Sequence, residues 1–239
     1  MVQAASERDY AMKIRVKFSK SGYVRYVGHL DTMRMFQRAI KVAKLPIAYS
    51  QGFNPHSLVY FAMPLAVGVT SEGEYMEMVL KEDVPLQDVK ERLTSVMVPG
   101  IKLLDVYATT DKTDSLMSLV SAADYKVLLS LPENPEVTAQ SLKEKLQTAS
   151  ELIVMKKGKK GITPVDIKPL IMESEIFEED GKIAIELKVY AGSSKNLNPE
   201  LLVKALVEEM PYEMALVRKE LYTEGENSLI PLYKVGRLA

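Results

Sequence analysis

The chain holds two histidines, His29 and His56, inside one stretch that also gathers Arg25, Arg34, Arg38, Lys41, Tyr49 and Phe53. Imidazole titrates near neutral pH, so a converging pair would form an acid/base couple able to take the proton of a ribose 2′-hydroxyl. The same rings serve equally to cap a helix start or close a turn, and their spacing does not by itself bring them together. Guanidinium groups hold phosphates and aromatic rings stack on unpaired bases, so Arg25, Arg34, Arg38 and Lys41 with Tyr23, Tyr26, Tyr49 and Phe53 have the character of a nucleic-acid surface. The plainer reading of the same residues is a solvated helix face with tyrosines over a core. Asp31 adds a third possible metal ligand, but no H-x3-H or H-E-x2-H spacing sets ligands on one helix face, so no metal and no cofactor are expected.

Two further segments carry chemistry. Tyr49-Ser50-Gln51-Gly52-Phe53-Asn54-Pro55-His56 reads as a loop, its Gly and Asn-Pro marking tight turns and its side chains rich in donors, acceptors and rings. It is expected to line a concave surface with Arg25 and His29. Lys156-Lys157-Gly158-Lys159-Lys160-Gly161 is the strongest charge run and would attract a polyanion or simply be solvated. It is no P-loop, because G-x4-G-K-[ST] is missing. Glu72, Glu74 and Glu77 read as an outward strand face.

The elements that must position these residues follow from periodicity. A helix opens at His29 and runs to Lys44, with Leu30, Met33, Phe36, Ile40 and Ala43 as its core stripe and Asp31, Arg34, Arg38 and Lys41 on another face. Strands are expected at 13–19, 47–49, 58–65, 74–80 and 101–108, with a second helix from Pro85. The later half repeats the order: strands at 124–131, 152–155, 165–177, 182–190 and 214–222, and helices at 138–149 and from Pro199, capped by Asn198. Tyr125 against Lys13 and Met214 against Lys102 share an offset of 112 positions. The fold class expected is α+β, with two tandem ferredoxin-like (split βαβ) domains at 13–110 and 122–235, each an antiparallel sheet with an added hairpin, after an extension at 1–12. The alternative is a second half that merely extends one sheet.

Composition sets the outer bounds. Among 239 residues, 47% are hydrophobic, enough for real cores in one large or two ordinary domains. The net charge of −1 removes any global electrostatic argument for nucleic acid, leaving only local patches. No cysteine is present, so disulfides, thiolate zinc and a cysteine-ligated cluster are excluded within the chain. No long apolar run and no basic-then-apolar leader appear, which points to a cytoplasmic, membrane-free protein.

A specific resemblance rests on Arg25 before His29-Leu30-Asp31, on Leu45-Pro46, on Tyr49 to His56, and on Pro64-Leu65, Gly68-Val69, Ser71-Glu72 and Glu74-Tyr75. In the second half it rests on Lys156-Lys157-Gly158, Asp166 to Leu170, Asn196-Leu197-Asn198-Pro199 and Arg218 to Tyr222. On these the chain resembles the radical-SAM-linked family of bacterial proteins known as DUF2344. Ser57-Leu58 departs from the family, which more often has proline and a basic residue there. Members stand alone or follow a radical SAM region, so the resemblance implies a functional link to such an enzyme, and the missing Cys-x3-Cys-x2-Cys motif implies the stand-alone form.

The favoured expectation is an auxiliary RNA-binding protein that presents transfer or ribosomal RNA to a partner radical SAM enzyme. Arg25, His29, Asp31, Arg34, Arg38 and the residues Tyr49, Ser50, Gln51, Phe53, Asn54 and His56 would form its site. Lys156, Lys157, Lys159 and Lys160 would hold backbone phosphate. Two other classes stand beside it. One is a metal-independent endoribonuclease, similar in architecture to the tandem ferredoxin-like enzymes of CRISPR RNA processing, with His29 as acid/base and Arg38 on the phosphorane. The other is a protein adaptor that docks the radical SAM subunit and touches no RNA. The oligomeric state is left open.

Overall fold

A computed structural model describes residues 12–110, 115–132, 137–158 and 161–238. The chain is α+β and divides into two compact units, one running to Leu119 and rejoined from Ile230 onward, the other Val120–Leu229. The end of the stretch assigned above to a second domain, from Ile230 to 235, thus lies with the first unit. None of the helices among the described residues is long and apolar enough to cross a membrane.

The first unit runs β1 (Met12–Lys20), α1 (His29–Val42), β2 (Val59–Phe61), β3 (Thr70–Leu80), α2 (Leu86–Thr94) and β4 (Ile101–Ala108). Its strands lie in the order β4-β1-β3-β2, each neighbour antiparallel. Alternation in β1 sends Ile14, Val16 and Phe18 to one face, where they join Phe36 and Ile40 of α1 and Val89 and Leu93 of α2 in one core. Phe18 meets Phe36 at 4.8 Å between ring centroids, and Phe36 meets Phe61 edge-on at 5.5 Å. Removing a ring so placed costs about 3–5 kcal/mol.

The other face of this sheet carries Arg15, fully buried and ion-paired with Glu77. The carboxyl-terminal segment closes over it: Arg15 Nη1 donates to the carbonyls of Leu232 and Val235, and the Tyr107 hydroxyl donates to Leu232. Glu74 and Glu77 are therefore 4% and 1% exposed, against the outward face expected of them. The reason is cover on both sides of β3. Glu74 shares the helix side with Met76 and Met78, and Glu77 lies opposite Arg15.

The second unit runs β5 (Ala122–Ser130), α3 (Ala139–Thr148), β6 (Ile153–Gly158), β7 (Gly161–Asp166), β8 (Ile171–Glu179), β9 (Lys182–Tyr190), α4 (Pro199–Val207) and β10 (Glu213–Glu224). The order is β10-β5-β9-β8, again antiparallel, with β6 and β7 paired as a separate two-stranded ribbon. Local chemistry sets its boundaries. Thr138 and Ser141 form a reciprocal capping box at α3, and Asn198 accepts the Glu200 amide at 3.2 Å before Pro199 opens α4. Asp180 and Gly181, both at positive φ, make the tight turn between β8 and β9.

Three expectations need correction. The single strand expected at 165–177 is two strands, because Pro169 lacks the amide a ladder needs and the Asp166 carboxylate instead accepts the Leu152 and Lys168 amides. The strand expected at 58–65 shrinks to Val59–Phe61 before Pro64. The added hairpin is present in the second unit, but its counterpart in the first is the isolated bridge Tyr49 to Ser57, interrupted by Gly52 and Asn54-Pro55.

Candidate functional site

Helix α1 is the first wall of the site. Its buried stripe is Thr32, Phe36, Ala39 and Ile40, continued by Ala43, and Met33 is half-buried. Leu30 is 65% exposed and so does not belong to the stripe expected of it. At about 100° per residue it stands about 200° from Thr32, on the far side of the helix. Arg34, Arg38 and Lys41 are exposed as their spacing indicates. Arg34 is already engaged, its Nη1 donating to Asp31 Oδ1 at 2.9 Å.

The helix ends in a way that aims the next segment. Lys44 adopts φ +53, and the Leu45 amide reaches back to the Ile40 carbonyl at 3.2 Å, a Schellman-type stop made by lysine instead of glycine. Arg92 of α2 donates to the freed carbonyls of Ala43 and Lys44. The chain then runs back beside the end of β3: Ile47 bridges Leu80, and the Lys81 amide donates to the Pro46 carbonyl at 2.8 Å. Ala48 and Leu58 tie both ends of the following loop to β3 and to each other.

That loop is closed by its own side chains. Ser50 Oγ lies 2.8 Å from His56 Nδ1, and the same oxygen accepts the His56 amide at 3.0 Å. Gln51, Phe53, Asn54 and His56 are exposed around it, Phe53 completely.

Helix end, loop and β3 end together enclose an open groove of about 740 Å³. Arg38 and Lys41 line one wall, Tyr49, Pro55 and His56 another, and Lys81 and Glu82 enter from the end of β3. Lys81 Nζ stands 5.7 Å from the Tyr49 ring centroid, a cation held over an aromatic face. Three cations against one carboxylate give the groove a positive balance suited to an anion with a flat, apolar part.

The structure divides the residues the sequence had grouped. Arg38, Tyr49 and His56 meet in the groove, whereas Arg25 does not line it: its guanidinium lies over the Tyr26 ring at 4.8 Å and donates to that hydroxyl. His29 stands at the other end of α1, edge-on to Phe61 at 5.6 Å, beside a space of about 10 Å³ shared with Lys20, Thr32 and Glu74. Such a space holds at most about one water. The concave surface expected of the loop therefore forms with Arg38 and Lys41, not with Arg25 and His29, because nine residues of helix, about 13 Å of rise, separate His29 from Arg38. In the second unit Lys156 is exposed on β6. The Lys157 side chain and Lys159 and Lys160 lie outside the described residues. Sequence reading missed Lys81 and Glu82. Their signal is the Lys-Glu-Asp turn after β3, which gains meaning only once Ile47 is seen to pair with Leu80. No cluster able to hold a metal is present among the described residues.

Comparison with solved structures gives distant likenesses. A chain of a Cbf5-Nop10-Gar1 complex is 11% identical with a TM-score of 0.49, covering 94% of this chain, which spans 58% of that one. A protein of unknown function from Galdieria sulphuraria is 13% identical at 0.26, over 87% and 98% of the two chains. A Rhodococcus jostii RHA1 DypB variant in complex with heme is 8% identical at 0.23, over 88% and 93%. With TM-scores below 0.5, these neighbours decide neither fold nor function. No curated protein matches the chain. A family model does match, over residues 13–199, and by that span the chain belongs to the family described as an uncharacterized protein conserved in bacteria (DUF2344).

Proposed function

We propose that the chain is an auxiliary RNA-binding protein of the cytoplasm, built of two ferredoxin-like, split βαβ domains, that presents transfer or ribosomal RNA to a partner radical SAM enzyme. Support for the architecture comes from the strand orders β4-β1-β3-β2 and β10-β5-β9-β8, each antiparallel with helices after its first and third strands. The observation that carries the RNA reading is the groove itself, where Arg38, Lys41 and Lys81 face Tyr49 and His56 across a space open to solvent. Cations with exposed rings are the combination that phosphates and bases require. A paired-histidine ribonuclease loses ground, because His29 and His56 line different cavities.

The test has two parts. Binding of labelled transfer and ribosomal RNA is measured against salt for the wild type and for Arg38→Ala and Lys41→Ala. Each variant should weaken binding and flatten the salt dependence by about 0.7–0.9 of a unit per lost phosphate contact. The partner should co-purify as a protein with iron–sulfur absorbance that cleaves S-adenosylmethionine. Binding and slope unchanged in both variants would remove the groove as the RNA site.

A further inference from the structure

We propose that the groove takes an unpaired stretch of RNA and rejects a duplex, with Arg38, Lys41 and Lys81 on successive phosphates and Phe53 stacked on a base; this rests on the RNA reading above and names its substrate class. Three observations carry it.

The first is the shape of the cationic wall. Arg38 and Lys41 stand three positions apart on one helix, so their Cβ atoms are neighbours at about 5–6 Å. Lys81 approaches from the end of β3, beyond the loop, and is kept there by the Tyr49 ring. Charges placed on two walls of a groove surround a single backbone, whereas a duplex carries its phosphates on two strands around the outside of a broad rod that these walls do not admit.

The second is Phe53. It stands at the tip of the loop, three residues before His56, with its ring wholly exposed. The contacts that close the loop, Ser50 with His56 and the Tyr49 to Ser57 bridge, make no use of it. Its apolar surface therefore stays in water in the free protein, and covering it is favourable only when something flat arrives. Along an A-form duplex the base faces are hidden in the stack, so away from a helix end only an unpaired base can meet this ring.

The third is Glu82. A carboxylate accepts hydrogen bonds and repels phosphate, and it lies in the same groove as the three cations. Base edges carry the donors it can accept, and those on the Watson–Crick edge are free only in a single strand.

The experiment is fluorescence anisotropy on the full chain with three labelled probes: a short unstructured RNA of mixed sequence, the blunt duplex of the same sequence, and a hairpin presenting that sequence in its loop. The single strand and the hairpin loop should bind far more tightly than the duplex. Phe53→Ala should weaken single-strand binding by roughly five- to a hundredfold, the range for losing one stacked base, and leave duplex binding unchanged. Lys81→Ala should lower the salt slope on the single strand by about 0.7. Because Phe53 packs on nothing that closes the loop, an unchanged melting temperature confirms that the variant is folded. Duplex binding equal to or tighter than single-strand binding, with Phe53→Ala silent, overturns this inference and leaves the RNA reading standing. No measurable binding of any of the three probes, or of transfer or ribosomal RNA, overturns both.

Discussion

Ser50 Oγ holds His56 twice, at 2.8 Å to the ring Nδ1 and at 3.0 Å to the backbone amide, so one hydroxyl fixes the loop that forms a wall of the groove. With Nδ1 occupied, Nε2 is the ring nitrogen left for a ligand. Ser50→Ala removes both contacts, worth about 1 kcal/mol together at an exposed site. The melting temperature should move little, hydrogen exchange of the amides at 51–56 should quicken, and RNA affinity should fall. Ser50→Thr keeps the hydroxyl and should keep all three properties. Wild-type exchange in the alanine variant would mean that the backbone ties to β3 hold the loop unaided.

A second relationship is structural. Arg15 Nη2 lies 2.5 Å from Glu77 Oε1 in a site closed to solvent, and Lys13 adds a contact to Oε2 at 3.2 Å. Removing Arg15 leaves the buried Glu77 carboxylate with the partly exposed Lys13 in place of a buried guanidinium, so Arg15→Ala should cost up to about 3–5 kcal/mol in urea unfolding. Replacing both partners by apolar residues of similar volume, Arg15→Met with Glu77→Leu, should recover most of that loss. If the double variant is as unstable as the single, the carbonyl contacts to Leu232 and Val235 carry the stability, and the ion pair does not.

The contrast between these two sites marks what was legible from the residues alone. Helix α1, the helix that opens at Thr138 and the cap at Asn198 follow from local periodicity and capping chemistry, and they stand where that chemistry puts them. The loop at 49–56 was legible as a loop, and Arg38 and Lys41 as an exposed face. What stayed hidden depended on contacts distant in sequence. Glu77 reads as outward because strand alternation says nothing of a segment 155 residues later covering that face. Lys81 enters the groove through the pairing of Ile47 with Leu80, and no local window contains both.

Tyr107 gives the fold an alkaline limit. Its hydroxyl is raised well above the ordinary value of 10.0, chiefly by burial, against the lowering effect of Arg15 and Arg237. Tyr222 is raised as well, by burial first and then by its hydrogen bond to Asp124. A phenol that stays protonated when folded but ionises at its ordinary value when unfolded contributes stability that is complete below about pH 10 and is lost as pH climbs toward the folded value. Unfolding free energy should therefore be level up to about pH 10 on this account and decline above it. Tyr107→Phe should make that decline shallower, with Tyr222 supplying the part that remains. An identical alkaline slope in the variant would remove Tyr107 as a cause.

The two histidines should separate cleanly under substitution. His29 meets Phe61 edge-on at 5.6 Å and an interplanar angle of 89°, beside a space too small for a substrate. His29→Ala should cost about 0.5–1.5 kcal/mol beyond its lost burial, seen as a lower melting temperature, and RNA binding per folded molecule should be unchanged. His56 is exposed on the groove, and its hydrogen-bond partner among the described residues is Ser50 of its own loop. His56→Ala should keep stability within about 0.5 kcal/mol and weaken RNA binding. Melting curves and anisotropy on the same two preparations decide the matter, because the groove assignment requires that loss of stability and loss of binding fall on different histidines. If His29→Ala abolishes binding while the protein stays as stable as wild type, the RNA site belongs at the amino end of α1, beside Arg25 and Tyr26, and the groove at its carboxyl end is not the site.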